Sequence, residues 1–454
     1  MKEVPHRWSL SFAATAIASH RITARALAEA ELARIAATDD AIGAWTALDA
    51  AHIRREADRC DAAKLTTPTL TSFAAPKGGA SLPWGGPAGG LDAPLAGIGV
   101  GVKDIIATRA LPTEMGSPIF AGHRPAADAA CVARMIAAGA YVFGKTVTTE
   151  FAFMHPGKTR NPWHAAHTPG GSSSGSAAAV AAGHVAGALG TQTNGSIIRP
   201  AAYCGVVGFK PTLGAIPFDG ANVFSESLDT LGTFTRTVAD AARLASVLAG
   251  SISSTLLQLD RPPRLAYLTG FPWTHVDADA LDDAMKRLRA EGAEIAPVTL
   301  PDELAAANVV HRTIMLFEGA RNLGPLQQRE RSRLSVALND ALDEGRAIDE
   351  GSYRLALEQR AGAIATLAGW LQPYDAIVAP PAPAGAPADL LTTGDPSCCT
   401  LWSLAGFPAL TLPIGHDKAG LPLGMQLAAS TGADARLLSV ASWCEERLPF
   451  VGLG

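Results

Sequence analysis

The sequence predicts an α/β fold with helices on both faces of a sheet, and three observations carry that prediction. From about residue 95 onward, short β-like runs alternate with helical segments, the order that builds layered α/β architecture. Across 454 residues, 48% hydrophobic and 17% charged residues with 45 Gly and 31 Pro describe a compact chain with a sizeable core and many turns. No segment is long and apolar enough to span a membrane; the most apolar late run, Ala177 to Leu189, is short and holds His184.

The elements follow in order. Residues 9 to 60 place Ala and Leu at three- and four-residue spacings with charges between them, which predicts a helical entry region. Its apolar start, Ser9 to His20, runs directly into Arg21, Thr23 and Arg25, so it reads as a helix of the mature protein rather than a secretory signal. Residues 62 to 94, with "PKGGASLPWGGPAGGLDAP", are too rich in Gly and Pro to fold alone and predict a mobile surface loop. Strands are expected at Ile98 to Val102, Ala140 to Phe143, Arg264 to Leu268, Ala376 to Ala379 and Ala409 to Pro413. Helices are expected at Ala129 to Ala138, Val238 to Leu248 and over most of 305 to 370, the last as a cover for one edge. The stretch "GGSSSGS" at 170 to 176 resembles a linker, yet it launches the helix-prone Ala177 to Ala182. A Gly/Ser turn there gathers unpaired backbone N–H groups and suits negative charge.

Charge and cysteine usage narrow the function. A net charge of -5 leaves no electrostatic footprint for nucleic acid. Cys60, Cys131, Cys204, Cys398, Cys399 and Cys444 form no C-x-x-C pair, which favours a reducing, cytoplasmic compartment and no zinc site.

Three motifs compete for the chemistry. Gly139 to Thr146 fits the phosphate-loop pattern G-x-x-x-x-G-K-[ST], but a helix precedes it and Tyr141-Val142-Phe143 itself reads as the strand, against the order a nucleotide hydrolase needs. Gly97-Ile-Gly99-Val-Gly101 resembles half a dinucleotide fingerprint without its third glycine. Gly171 to Gly175 fits the G-x-S-x-G elbow with Ser173 as nucleophile. The preceding "NPWHAAHTPG" is loop rather than strand, and His275, His311 and His416 have no motif around them.

A fourth reading uses "GVKDII" with Lys103, "NPWHAAHTPGGSSSGSAAAVAAG" with Ser172, and "GALGTQTNGSIIRPAAYCGVVGFKPTLG" with Ser196. Together with "DAACVARMIAAGAYVFGKT", "EFAF", "SLDTLGTFTRTVADAA", "YDAIVAPPAPAGAP" and "LAGFPALTLPIGHDKAGLPLGMQL", these blocks resemble the amidase signature family of serine hydrolases. The match runs from about 95 to 250 and from 374 to 440. The resemblance implies one α/β/α domain over 95–454 with a large mixed, twisted sheet, and a helical region, 1–61, packed on it. It makes Ser196 the nucleophile, Ser172 the bridging serine after a cis peptide bond, and Lys103 the base.

A serine hydroxyl needs a neighbour to take its proton, and a neutral lysine can draw it through a middle hydroxyl. Lysine titrates near 10.4, so Lys103 must be desolvated or set near positive charge to work at about pH 7 to 8. Backbone N–H groups of Thr193, Asn194, Gly195 and Ser196 form the expected oxyanion hole. The family's commoner "GTD-x-GGS-I-R" becomes "GTQTNGSIIR", with Gln192 for the acid, Asn194 for a glycine and the arginine at Arg199, a spacing similar to malonamidase-like members. Gln192, Arg199 and Trp163 are expected at the substrate, Trp163 with the 62–94 loop for bulky groups, and Arg199 either for a substrate carboxylate or in a structural ion pair; Asn194 adds a side chain at the mouth of the hole.

The expected activity is hydrolysis of a small carboxamide or aryl amide, with a carbamate as the second option, by a monomer or homodimer that needs neither metal nor organic cofactor and no membrane partner. An amidotransferase component that works with partner subunits, a nucleotide hydrolase and a non-enzymatic binding protein are the alternatives from other classes.

Overall fold

A computed structural model describes residues 4–65 and 93–453. The predicted helical entry is three helices and a strand: α1 (Leu10–Ala18), α2 (Ala24–Ile42), β1 (Trp45–Ala47) and α3 (Ala50–Leu65). Ser9 and Thr23 cap α1 and α2 through their hydroxyls. Gly43, at φ 66°, ends α2 in the left-handed conformation and turns the chain into β1, which pairs antiparallel with the later strand at Trp45↔Thr146. Three residues are too few to show a strand's period, so the pattern reads as continuous helix. Helix α3 also reaches four residues into the expected 62–94 loop; most of that loop, 66–92, lies outside the described residues.

The core then alternates as expected. In order come β2 (Gly99–Lys103), α4 (Ala130–Ala137), β3 (Tyr141–Thr146), α5 (Ser174–Ala181), β4 (Gly187–Gln192), α6 (Ile198–Cys204), β5 (Val207–Lys210), β6 (Thr230–Thr235) and α7 (Val238–Ala249). There follow β7 (Arg264–Leu268), α8 (Asp279–Ala290), β8 (Glu294–Val298), α9 (Ala307–Glu330), α10 (Val336–Ala347) and α11 (Glu350–Leu371). The chain closes with β9 (Ala376–Ala379), α12 (Thr400–Ala405), β10 (Ala409–His416), β11 (Pro422–Ala428) and α13 (Asp434–Arg447). One eleven-stranded mixed sheet runs β1-β3-β2-β4-β6-β5-β10-β11-β9-β7-β8.

Strands β2, β3 and β4 are parallel neighbours, and every residue in them is buried. Sheets covered on both faces read as apolar runs rather than alternation, which is why β2 and β3 were legible, whereas β4, "GALGTQ", with two glycines and a polar end, was not expected as a strand. Their carboxyl ends, Lys103, Thr146 and Gln192, open to the same side, the usual place for a site in an open α/β sheet.

Helix α5 lies across this sheet with every residue from Ser174 to Val180 buried. Its approach depends on Gly175, where a Cβ would fall 2.3 Å from the Ala44 carbonyl oxygen and 2.3 Å from the Val147 nitrogen. Both are backbone atoms that cannot rotate aside. Gly175→Ala therefore destabilises the fold by about 1–3 kcal/mol through overpacking, read as a lower midpoint in urea unfolding at unchanged slope.

Candidate active site

Three segments meet beyond the strand ends. Lys103 closes β2 with its side chain fully buried, and its Nζ lies 2.7 Å from Ser172 Oγ and 2.8 Å from Thr191 Oγ1. Burial pushes the amine well below the ordinary lysine range, opposed by the nearby Asp229 carboxylate. Ser172 follows the cis Gly171–Ser172 peptide bond, and its carbonyl accepts the Thr149 N–H at 3.2 Å.

The other serines of "GGSSSGS" are occupied elsewhere. Ser173 stands at the N-cap of α5 without capping it; its hydroxyl donates to the Thr191 carbonyl at 3.1 Å and accepts the Thr191 N–H at 3.3 Å. Ser176 Oγ donates to the Leu189 carbonyl. These bonds stitch α5 to β4 and leave Ser172 turned toward the amine, so the elbow reading with Ser173 as nucleophile has no geometry to stand on.

Strand β4 ends at Gln192, and the turn Thr193 to Ser196 leads into α6. Ser196 is half-buried, with no hydrogen-bonding partner for its hydroxyl among the described residues. Gln192 is not turned to a substrate: its Oε1 accepts the Ile197 and Ile198 N–H groups at 2.7 and 3.0 Å, capping α6, and its Nε2 donates to Ser403 Oγ. Thr193 Oγ1 donates to Asp229 Oδ1 at 2.6 Å, while Asp229 Oδ2 accepts the Phe224 and Ser225 N–H groups. Burial pushes that carboxyl up to about 6, against the pull of its donors. Asn194, expected at the mouth of the turn, is drawn toward α12, where Thr400 Oγ1 donates to its Oδ1 at 2.9 Å.

Arg199 is buried, and its Nη2 donates to the Gly171 carbonyl at 2.7 Å and to Thr393 Oγ1 at 3.1 Å. This bond ties the segment after Ser196 to the residue before Ser172. Its Nε and Nη1 have no hydrogen-bond partner, and no carboxylate lies within ion-pair distance of it among the described residues. A Cβ at Gly195 would sit 3.2 Å from Nη1, so an orphan donor borders the turn itself. A cleft of about 330 Å3 opens beside Thr393, lined also by Phe153, Met154 and Leu391. It shares His155, Ala337 and Asp340 with a larger cleft farther out along α10.

Trp163 is not brought to these residues. Its indole N–H donates to the Cys204 carbonyl at the far end of α6, and its ring packs on His416 and Phe450. The phosphate-loop look-alike is likewise interior: Lys145 lies within β3 and donates to the Ile106 carbonyl and Thr113 Oγ1, near Asp104. The glycines of "GIGVG" are packing positions, since a Cβ at Gly99 would meet Phe143 at 2.4 Å. Among the described residues no group of three His, Cys, Asp or Glu side chains could hold a metal, and all six cysteines are buried and outside any disulfide.

Several site residues had no signature in the chain. Thr191, Thr393, Thr400 and Ser403 are ordinary hydroxyl residues, and His311 on α9 reaches the Thr193 carbonyl from 118 residues away. Only Thr191, in "GALGTQTNGS", and Asp229, in "SLDTLGTFTRT", lay in motif blocks, and neither was singled out there.

The Amidase family model matches residues 85–438. The chain is 34% identical over 484 residues to a glutamyl-tRNA(Gln) amidotransferase subunit of Prochlorococcus marinus (strain MIT 9313), covering 94% of each. Among solved structures it is similar to a crystal structure of an amidase, with TM-score 0.83, 30% identity, and 97% of this chain and 100% of the other covered. It is also similar to the native peptide amidase from Stenotrophomonas maltophilia, with TM-score 0.77, 27% identity and 97% of each covered. No described helix is long and apolar enough to cross a membrane.

The cost of burying the Lys103 amine is measurable apart from any activity. The unfolded chain protonates this lysine below about pH 10.4 while the folded site resists, so the unfolded state binds more protons and folding stability drops as pH falls through that window. Lys103→Met removes the titration. Its stability relative to the wild type should grow as pH falls from about 10 toward neutrality, in urea melts at several pH values.

Proposed function

This chain belongs to the amidase signature family, and from that premise we propose that it is a C–N hydrolase working through Ser196, Ser172 and Lys103. The observation that carries the reading is the Lys103 amine, buried and 2.7 Å from the Ser172 hydroxyl, beside a turn that leaves Ser196 uncommitted. Lys103, neutral at working pH, takes the Ser172 proton as Ser172 takes that of Ser196. The Ser196 oxygen then adds to the substrate carbonyl. Negative charge on the carbonyl oxygen falls to the N–H groups of the Thr193–Ser196 turn. The proton returns through Ser172 to the departing nitrogen, the C–N bond breaks, and water added by the same relay releases the acid from Ser196. No step calls on a metal or an organic cofactor.

The leading substrate is a small carboxamide or aryl amide; an aryl carbamate presents the same carbonyl and is the second. The unpartnered Nε and Nη1 of Arg199 favour a substrate that carries a carboxylate, because a buried cation without a counter-charge is costly until an anion joins it. The cleft beside Thr393 has room for the remainder of the acyl group. The likeness to an amidotransferase raises glutamine as an alternative amide donor, in a protein that then works with partner subunits.

The test is product release from 4-nitroanilides, aryl carbamates, small acidic amides and glutamine, with wild type and Ser196→Ala side by side. Turnover by the wild type and none by the folded variant is expected, with acidic amides ahead of neutral ones and the amide-to-carbamate ratio naming the subclass. Equal activity of the two proteins overturns Ser196 as nucleophile; turnover of glutamine alone favours the amidotransferase reading. A second outcome concerns pH: only neutral Lys103 accepts a proton, so kcat/KM rises with pH along a limb well below the ordinary lysine range, read from the wild-type pH profile.

A further inference from the structure

We infer that His311 and Ser403 are positioning residues that fix the direction of the oxyanion donors, an inference that rests on Ser196 being the nucleophile. In a trans peptide the C=O and the following N–H point in opposite directions. Every peptide bond of the Thr193–Ser196 turn is trans, Gly171–Ser172 being the cis bond among the described residues. Holding a carbonyl on one side of the turn therefore presents the next N–H on the other.

Three carbonyls of the turn, those of Thr193, Asn194 and Gly195, are held. The Thr193 carbonyl lies 3.0 Å from His311 Nε2, and because a carbonyl can only accept, Nε2 carries the hydrogen. This directs the Asn194 N–H away from α9. Ser403 Oγ donates to the Asn194 carbonyl, which directs the Gly195 N–H away from α12. The Gly195 carbonyl accepts the Arg199 N–H at 3.0 Å, the opening bond of α6, which directs the Ser196 N–H. Asn194 and Gly195 are residue types that tolerate unusual dihedrals, so the sequence of the turn does not by itself prevent a peptide flip. A flip would leave the buried His311 and Ser403 donors without acceptors, and that penalty is what holds the open arrangement.

The clamps are themselves anchored. His311 is buried on α9, and burial pushes its imidazole down to about 4, so it stays neutral in one tautomer. Ser403 on α12 accepts the Gln192 Nε2–H at 3.0 Å, leaving its own hydrogen for Asn194. The helices that cover the site are thus part of its electrostatics.

The test uses a fluorophosphonate probe, in which the serine oxygen displaces fluoride from phosphorus and charge builds on the phosphoryl oxygen, together with kcat and KM on any amide the wild type turns over. His311→Leu and Ser403→Ala are each expected to slow labelling and kcat by about 10- to 100-fold, with KM moved by less than about threefold. His311→Gln, whose amide N–H reaches toward the same carbonyl, is expected to recover most of the rate. Labelling by folded His311→Leu and Ser403→Ala within about twofold of wild type overturns the inference, as does His311→Gln being as slow as His311→Leu. If His311→Leu does not fold, Ser403→Ala decides alone. A wild type that resists the probe, or a Ser196→Ala variant labelled equally well, brings down the nucleophile reading and this inference with it. A silent Ser196→Ala beside unaffected clamp variants brings down the clamps alone.

Discussion

The burial of one lysine amine among hydroxyl groups is the constraint on which the rest of the site depends. An ammonium ion taken out of water loses far more solvation than two neutral hydroxyls return, so Lys103 is stable there chiefly as the amine. That condition demands a strand with no exposed face. Strand β2 supplies it by lying between β3 and β4, under α5, with every residue buried. The close packing of α5 at Gly175 and the stitching of Ser173 and Ser176 to β4 keep water from the same volume.

Two other buried lysines show how much the partners matter. Lys145 donates to a carbonyl and a threonine hydroxyl near the Asp104 carboxylate; burial pushes its amine down to about 8 and the Asp104 carboxyl up to about 6. Lys210 donates to the carbonyls of Pro211 and Phe407, with burial pushing it down to about 7. Carboxylates and carbonyls accept hydrogen bonds but have no proton to give. A hydroxyl does both, and Lys103 faces two of them, those of Ser172 and Thr191, where Lys145 faces one beside a carboxylate and Lys210 none. Depressed basicity is shared by all three; the capacity to relay a proton follows from the neighbour.

Much of this was legible in the chain. The strands at Arg264–Leu268 and Ala376–Ala379 fall on the expected residues, because fully buried strands are continuous apolar runs between turn signals. The meeting of Lys103 and Ser172 followed from the motif blocks that hold them. What escaped is side-chain direction. Gln192 and Trp163 were assigned to the substrate from their place in the sequence, yet one caps α6 from below and the other packs at that helix's far end. His311 escaped for another reason: a histidine within a helical, charged stretch has no periodic or motif signal, and its partner is a backbone carbonyl that any residue could offer.

The departures of "GTQTNGSIIR" from the commoner pattern make sense together in this geometry. A carboxylate at 192 could accept the two N–H groups that open α6, but it has no hydrogen for Ser403. The Gln192 carboxamide does both, and by supplying Ser403 with a donor it commits the serine's own hydrogen to the Asn194 carbonyl. Asn194 in turn accepts from Thr400 on the same helix, so the side chain that replaces a glycine hydrogen is spent on α12 rather than on the carbonyl oxygen of a substrate. The exchange of acid for amide also leaves Asp229 as the charged group acting on Lys103, and Asp229 is itself bound by one hydroxyl and two backbone N–H groups. Asp229 opposes the effect of burial on the Lys103 amine without cancelling it, so the amine stays well below the ordinary lysine range.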